Sequence, residues 1–197
     1  FSNRQKIYDQ IRYIDLEGNE IIRINYHEDG AVAIGPEGLQ NKRERYYFKD
    51  AIKLKENQIY ISKLDLNVEN DQIEQPIKPM IRIATPYYAD GRLQGIIIVN
   101  YLANDMLNQV RQVASAARGD IYLLNSDGYW LYNGDNHDKE WTFMYEEQAE
   151  VSFKNEYPEE WKTIQEQKYG YQLSDHGIFS YSTVIASQVF AQENQEF

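Results

Sequence analysis

The chain has no cysteine. That removes disulfides, thiolate metal sites and cysteine nucleophiles together, and it suits an exported bacterial domain as well as a cytosolic one. Histidine is nearly as scarce. His27, His137 and His176 fall one per loop without i, i+4 pairing, so zinc, which takes three or four His, Cys or carboxylate ligands, finds no site. Long apolar runs are missing too: the longest, residues 95–99, is strand-sized, against about 20 residues for a bilayer span. Positive charge is in deficit, with 20 Lys and Arg against 31 Asp and Glu, a net charge of −11. Such a surface repels phosphate backbones, so no nucleic-acid partner is expected. The chain starts at Phe1 without a signal peptide, which reads as a piece of a longer protein whose flanking membrane helices lie beyond it.

Catalytic signatures are likewise lacking. There is no G-x-S-x-G elbow and no phosphate-cradling glycine loop. The carboxylate pairs Asp50/Glu56, Glu146/Glu147 and Glu159/Glu160 sit on expected helix ends and loops, where solvation and dipole matching account for them. The loop 133–138 with Glu140 is rich in oxygen ligands but lacks the D-x-[DN]-x-[DN]-G order of a calcium loop, and it reads as a solvated hairpin loop. No metal and no cofactor are expected. A secreted hydrolase acting through a carboxylate pair, or a non-signalling binding or adhesion module, remains as an alternative.

Strands and aromatics are what the chain does have. Hydrophobic residues make up 42% of its 197 positions and Tyr alone accounts for 17, enough to core one large domain or two small ones. Residues 79–101 read as two strands joined by an Asp90-Gly91 turn, since Asp-Gly between β-branched runs is a strong hairpin signal; residues 58–64 read as the strand before them. Residues 12–22 and 122–132 share one plan. Each is an apolar strand, a turn built on Asp15/Glu17/Gly18 or Asn125/Asp127/Gly128, then a second apolar strand. Asx side chains bond the backbone two residues on and Gly supplies the left-handed position. The echo argues for two related lobes.

Helices are expected over 41–54, over 102–114, with Leu102, Met106, Val110 and Val113/Ala114 on one face and Asn104 as cap, and over 158–167, with Pro158 at the first turn and Gly170 closing it. Residues 30–39 read as a loop and residues 177–185 as a strand. Residues 2–10 would be the remnant of an N-terminal helix, and residues 186–197 are a polar, Gln-rich tail. The expected fold is α+β: two stacked lobes with antiparallel sheets and flanking helices, over residues 1–102 and 119–197, joined by a helix at 103–118, the second less complete than the first. One constellation in the first lobe suits a small ligand. Arg45 and Tyr47 lie on the helix over 41–54, Tyr60 and Ser62 alternate on the next strand, Thr85 and Tyr87 follow on another, and Asn100 ends the last: aromatic walls, one cation and neutral hydrogen-bonding groups.

The stretches 60–67, 78–86 and 140–144, within a broader match covering most of the chain, resemble double Cache domains, the tandem PAS-like extracytoplasmic sensors of bacterial transmembrane receptors of the sensor histidine kinase or diguanylate cyclase type. The resemblance implies a periplasmic or extracytoplasmic receptor input domain. It would bind a small polar or anionic metabolite in a membrane-distal lobe and pass a conformational change to a cytoplasmic output domain. It also implies anchoring by flanking membrane helices, no catalysis by the chain itself, and leaves a homodimer open. In the amino-acid-sensing branch an Arg-x-Trp-Tyr motif holds the ligand carboxylate and two Asp hold its ammonium group. Arg45 and Tyr47 resemble the first part, with Tyr47 in place of Trp, while Ser62 and Asn100 stand where the Asp residues would fall. Without those carboxylates a buried ammonium would go unpaired at a cost of several kcal/mol, so a carboxylate or neutral polar ligand fits better than an α-amino acid.

Overall fold

The computed structural model describes residues 8–27 and 29–184. They divide into two compact units, Phe1–Asp105 and Met106–Phe197, each α+β with antiparallel sheets.

The first unit opens with β1 (Tyr8–Asp15), β2 (Glu20–His27) and β3 (Gly30–Ala33), followed by a short helix α1 (Tyr46–Ala51). Then come the two-residue strands β4 (Tyr60–Ile61), β5 (Asp65–Leu66), β6 (Val68–Glu69) and β7 (Gln72–Ile73), and the long hairpin β8 (Pro79–Ala89) and β9 (Arg92–Leu102). The main sheet runs β3-β2-β1-β9-β8-β4, with β5 also on β8. The last strand, β9, therefore lies between the first, β1, and β8. The Asp90-Gly91 turn forms as expected, both residues at positive φ (51° and 69°).

One face of this sheet carries Ile14, Ala84, Ile96 and Ile98, and α1 covers it with Tyr47, Phe48 and Ala51. Burying these groups at roughly 25 cal/mol per Å² is what holds so short a helix in place. The helix is far shorter than the expected 41–54. Asn41 and Lys42 are drawn instead to the β1–β2 turn, where the Lys42 amide bonds the Gly18 carbonyl at 2.7 Å and the Asn41 amide reaches the Glu17 carbonyl. At the other end Asn57 sits at φ 65°. Two further expectations change: residues 30–33 pair with β2 as a strand rather than a loop, and of residues 58–64 only Tyr60–Ile61 forms ladder. Tyr8 to Gln10 belong to β1, not to a helix, while residues 1–7 lie outside the described residues.

Helix α2 (Asn104–Ala116) runs across the division, and the second unit goes on with β10 (Tyr122–Leu124), β11 (Trp130–Asn133), α3 (Phe153–Glu156), α4 (Pro158–Glu166), β12 (Tyr169–Ser174) and β13 (Gly177–Ser182). In α2, Asn104 is the first helical residue rather than the cap, and Leu107 is the buried residue while Val113 is exposed. Pro158 opens α4 as expected, but the helix ends at Glu166 with Gln167 as its cap, and Gly170 lies inside β12. The expected strand 177–185 ends at Ser182; Ile185 and the tail 186–197 lie outside the described residues. Glu160 is no solvated helix-end acid: it is 2% exposed, with one oxygen 2.9 Å from His176 Nδ1.

The sequence echo is an echo of geometry. In both hairpins a Gly at positive φ closes the turn, Gly18 at 87° and Gly128 at 82°, with its amide on the carbonyl of Asp15 or Asn125 at 3.1 Å. Asp15 and Asn125 also accept the amides of Asn19 and Tyr129 with their side chains. Both ladders shift register at the same step, between Tyr13 and Ile14 and between Leu123 and Leu124.

Candidate functional site

Pleating sends Gln10 and Arg12 of β1, Arg82 of β8 and Asn100 of β9 to the same face as the apolar cluster, one step further along each strand. The sheet face beneath α1 is thus half hydrocarbon and half charge. Arg12 donates to Asn100 Oδ1 at 2.6 Å and to Glu20 at 3.3 Å, Asn100 donates to Gln10, and Gln10 to Glu69. Glu69 gathers Arg23 at 3.3 Å, Lys42 at 3.6 Å and the Gln40 amide at 2.9 Å. Burial alone would raise the Glu69 carboxyl, but Lys42, the Gln10 amide, Arg23 and Arg12 outweigh it and hold the pKa at about 2.

Beside this network Arg82, 1% exposed, pairs with Asp65, which also accepts the Tyr46 hydroxyl at 2.6 Å. Burial pushes the Tyr46 phenol well above its ordinary value, and Asp65 adds to it. The Tyr47 ring is the joint between the two systems. Arg82 lies 4.9 Å, Arg12 5.7 Å and Arg45 5.8 Å from its centroid, close enough for cation–π attraction. Its hydroxyl accepts from Arg12 at 3.5 Å.

Within the layer every cation but one has a carboxylate within 4 Å. Arg12 has Glu20, Arg23 has Glu20 and Glu69, Lys42 has Glu69, Lys78 has Asp9 and Glu74, and Arg82 has Asp65. Arg45, half-buried at the start of α1, pairs with no carboxylate among the described residues and touches the layer through Tyr47. One buried donor of the layer, Arg12 Nε, has no hydrogen-bond partner.

The residues singled out in the sequence divide accordingly. Tyr47 and Asn100 lie within the layer and Arg45 at its rim. Ser62 is buried beside it, with its hydroxyl accepting the Arg82 amide at 2.8 Å and donating to the Lys63 carbonyl at 2.7 Å. Tyr60 packs on the apolar half, where burial, with Asp50 adding to it, pushes its phenol up to about 12. Thr85 and Tyr87 do not join them. Ala84 and Arg82 face α1, so the strand's alternation turns Thr85 and Tyr87 to the opposite face. There Thr85 bonds the Gln58 carbonyl and Tyr87, 42% exposed, meets Tyr13 edge-on.

What the sequence reading missed is the charge: Arg12, Glu20, Asp65, Glu69 and Arg82. A trace was there, since Arg12 and Arg82 each interrupt an apolar strand run at a core-facing position. Elsewhere, the oxygen-rich loop after β11 spends its groups on its own backbone. Asn133 accepts the amides of Asp135 and Asn136, and Glu140 accepts that of Asn133. No group of three or more His, Asp or Glu able to hold a metal occurs among the described residues. None of their helices is long and apolar enough to cross a membrane.

The family model for the bacterial histidine kinase sensor domain matches residues 1–193. The chain belongs to that family. Two solved structures are similar over most of this length. A protein assigned to the sensory box/GGDEF family from Vibrio parahaemolyticus shares 24% identity at a TM-score of 0.76, covering 93% of this chain and 69% of its own. The extracellular domain of a protein described as a histidine kinase shares 25% at a TM-score of 0.69, covering 88% of this chain and 62% of its own. The chain thus spans about two thirds of the solved domains it matches. A search of curated proteins returns no match. The fold is that of a Cache-type sensor domain, a module of signal transduction and not itself an enzyme.

Proposed function

We propose that this sensor domain works outside the cytoplasm as the ligand-binding part of a membrane receptor. In this reading the first unit is the membrane-distal, ligand-binding lobe and α2 and the second unit lead toward the membrane and the output domain. The ligand is a small polar or anionic metabolite held at the rim of the buried charged layer by Arg45, Tyr47 and Tyr60, with Ser62 and Asn100 behind them. The observation that carries the reading is Arg45, a cation fixed on an aromatic ring beside a layer in which the other cations are already paired. A carboxylate is the natural counter-ion. An α-amino acid is a poor fit, because the layer's carboxylates each face a cation already and none is left for an ammonium group.

Binding biases whichever arrangement of α1 over the sheet closes on the ligand, and it does so only by its differential affinity for the two states. The experiment is a thermal-shift screen of carboxylate and neutral polar metabolites against the native domain and Arg45→Ala. A charge-assisted hydrogen bond is worth roughly 1.5–3 kcal/mol, about ten- to a hundredfold in affinity. Arg45→Ala should therefore weaken the ligand by that factor and leave the unliganded melting temperature in place. Equal stabilisation of both proteins by every metabolite that binds rules Arg45 out as the ligand's anchor.

A further inference from the structure

Gln10 of β1, Arg23 of β2, and Gln40 and Lys42 from the segment before α1 converge on one point of the first unit. Two are cations and two are side-chain amides, and all four present N–H groups. Arg23 and Lys42 are buried, their side chains only 8% and 5% exposed. Two positive charges and two neutral donors around a place for a pair of oxygens are the chemistry that binds a carboxylate.

The carboxylate that fills the place comes from the chain itself. Glu69 Oε1 accepts from Gln10 at 3.1 Å and lies 3.3 Å from Arg23, while Oε2 accepts from Gln40 at 2.9 Å and lies 3.6 Å from Lys42. Its support is slight. β6 and β7 form a two-stranded sheet of their own, outside the main sheet, and such a ribbon is marginal alone. Its turn residues, Asn70 and Asp71, are exposed and sit at positive φ, 49° and 59°. The base is fixed separately: the Asn67 amide bonds the Lys78 carbonyl at 2.8 Å and the Glu74 amide bonds the Asn67 carbonyl at 3.0 Å. Glu69 thus reaches the cluster on a short arm rooted at Asn67 and Glu74. Without it Arg23 keeps Glu20, at 3.7 Å, and Lys42 has no carboxylate within 4 Å among the described residues.

We propose that Gln10, Arg23, Gln40 and Lys42 form a carboxylate-binding site which the β6–β7 hairpin occupies with its own Glu69, so that an external carboxylate that takes the site releases the hairpin. None of the four belongs to the group assigned to the Arg45 rim, so the two sites stand or fail separately. The hairpin is then a latch. Closed, Glu69 neutralises the cluster; open, residues 68–73 leave the sheet and two buried cations face the incoming anion. A carboxylate on so short a tether competes at an effective concentration of millimolar order, which the external carboxylate has to exceed.

Acetate tests this on the native protein and on Glu69→Ala, in which the carboxylate is removed and its space left open. Acetate should raise the melting temperature of the first unit of Glu69→Ala saturably, by about 5 °C at roughly tenfold excess over its dissociation constant. Chloride at equal ionic strength and neutral acetamide should not, and Glu69→Gln, which keeps the space filled, should gain nothing from acetate. The latch is read from a nitroxide on Gln72→Cys, an exposed position opposite Glu69 in a chain with no other cysteine. In the otherwise native protein the label should be restricted, and about 100 mM acetate, well above the effective concentration of the tethered carboxylate, should free it where chloride does not. In Glu69→Ala it should be free from the start. The native arm stands even if Glu69→Ala fails to fold. A label that acetate leaves restricted makes Glu69 a fixed structural tie and overturns the proposal, as does a folded Glu69→Ala that chloride stabilises as much as acetate, or that acetate leaves unchanged.

Discussion

Glu69→Gln is the perturbation most directly tied to the buried charge of the first unit. The glutamine keeps the shape of the carboxyl and can still accept from Gln10 and Gln40, but it gives Arg23 and Lys42 no counter-charge. A carboxyl that titrates near 4.5 when unfolded and at about 2 when folded contributes up to about 3 kcal/mol at neutral pH. The folded pKa is the lower one, so the contribution is complete above pH 4.5 and is lost as pH falls toward 2. It should be roughly halved at pH 3 and nearly gone at pH 2. Urea unfolding of both proteins at pH 7, 4.5, 3 and 2 measures it as a difference, so that the titration of other carboxylates cancels. The first unit of Glu69→Gln should be less stable by about 2–3 kcal/mol at pH 7 and converge on the native protein in acid. A gap that stays constant from pH 7 to pH 3 would mean that the loss came from packing or hydrogen bonding, and the electrostatic account of Glu69 would fall.

Asp65→Ala leaves Arg82 buried without a counter-charge and removes the acceptor of Tyr46; a loss of about 3–5 kcal/mol is expected in urea unfolding, most of it recovered by adding Arg82→Met. A loss below about 1 kcal/mol would show that Arg82 reaches water, since that is the worth of an exposed pair. Gly95→Ala should destabilise the β1–β9 pairing severely, because Gly95 has φ 154° and a Cβ there would meet the Ile14 carbonyl oxygen. The strain alone is of order 1–3 kcal/mol, and a melting temperature within a degree or two of the native one would contradict the register of that ladder.

Local chemistry made much of the fold legible. The Asp90-Gly91 turn, the two Asx–Gly hairpins and Pro158 at the head of α4 are determined within a few residues, so their signals sit in the sequence where the structure uses them. The misreadings arise where distant segments decide. Asn41 and Lys42 fall in a stretch that reads as helix but are claimed by the β1–β2 turn, more than twenty residues away in the chain. Thr85 and Tyr87 share a strand with Arg82 and Ala84, and only the position of α1 says which parity faces the site. Glu160 looks like a dipole-matching surface acid until His176 closes over it from another hairpin.

The repeat bears on why the first unit's charge is there at all. The matched hairpins place Arg12 opposite Arg23 with Glu20 beside them, and at the same positions of the second unit stand Tyr122, Asn133 and Trp130. There Trp130 is 1% exposed and packs with Tyr122 and Phe153, so the same turn and ladder close over an aromatic core. The framework therefore does not require a buried Arg12–Glu20 pair. Ion pairs in such positions are commonly no more stable than apolar groups of the same volume, and each filling leaves one buried donor unbonded, Arg12 Nε in the first unit and Trp130 Nε1 in the second. A fold that can use either filling, and uses the charged one in a single unit, points to a demand on that unit other than stability. The ligand site proposed at Arg45 and Tyr47 would be such a demand, and it would tie the charged filling to the first unit alone.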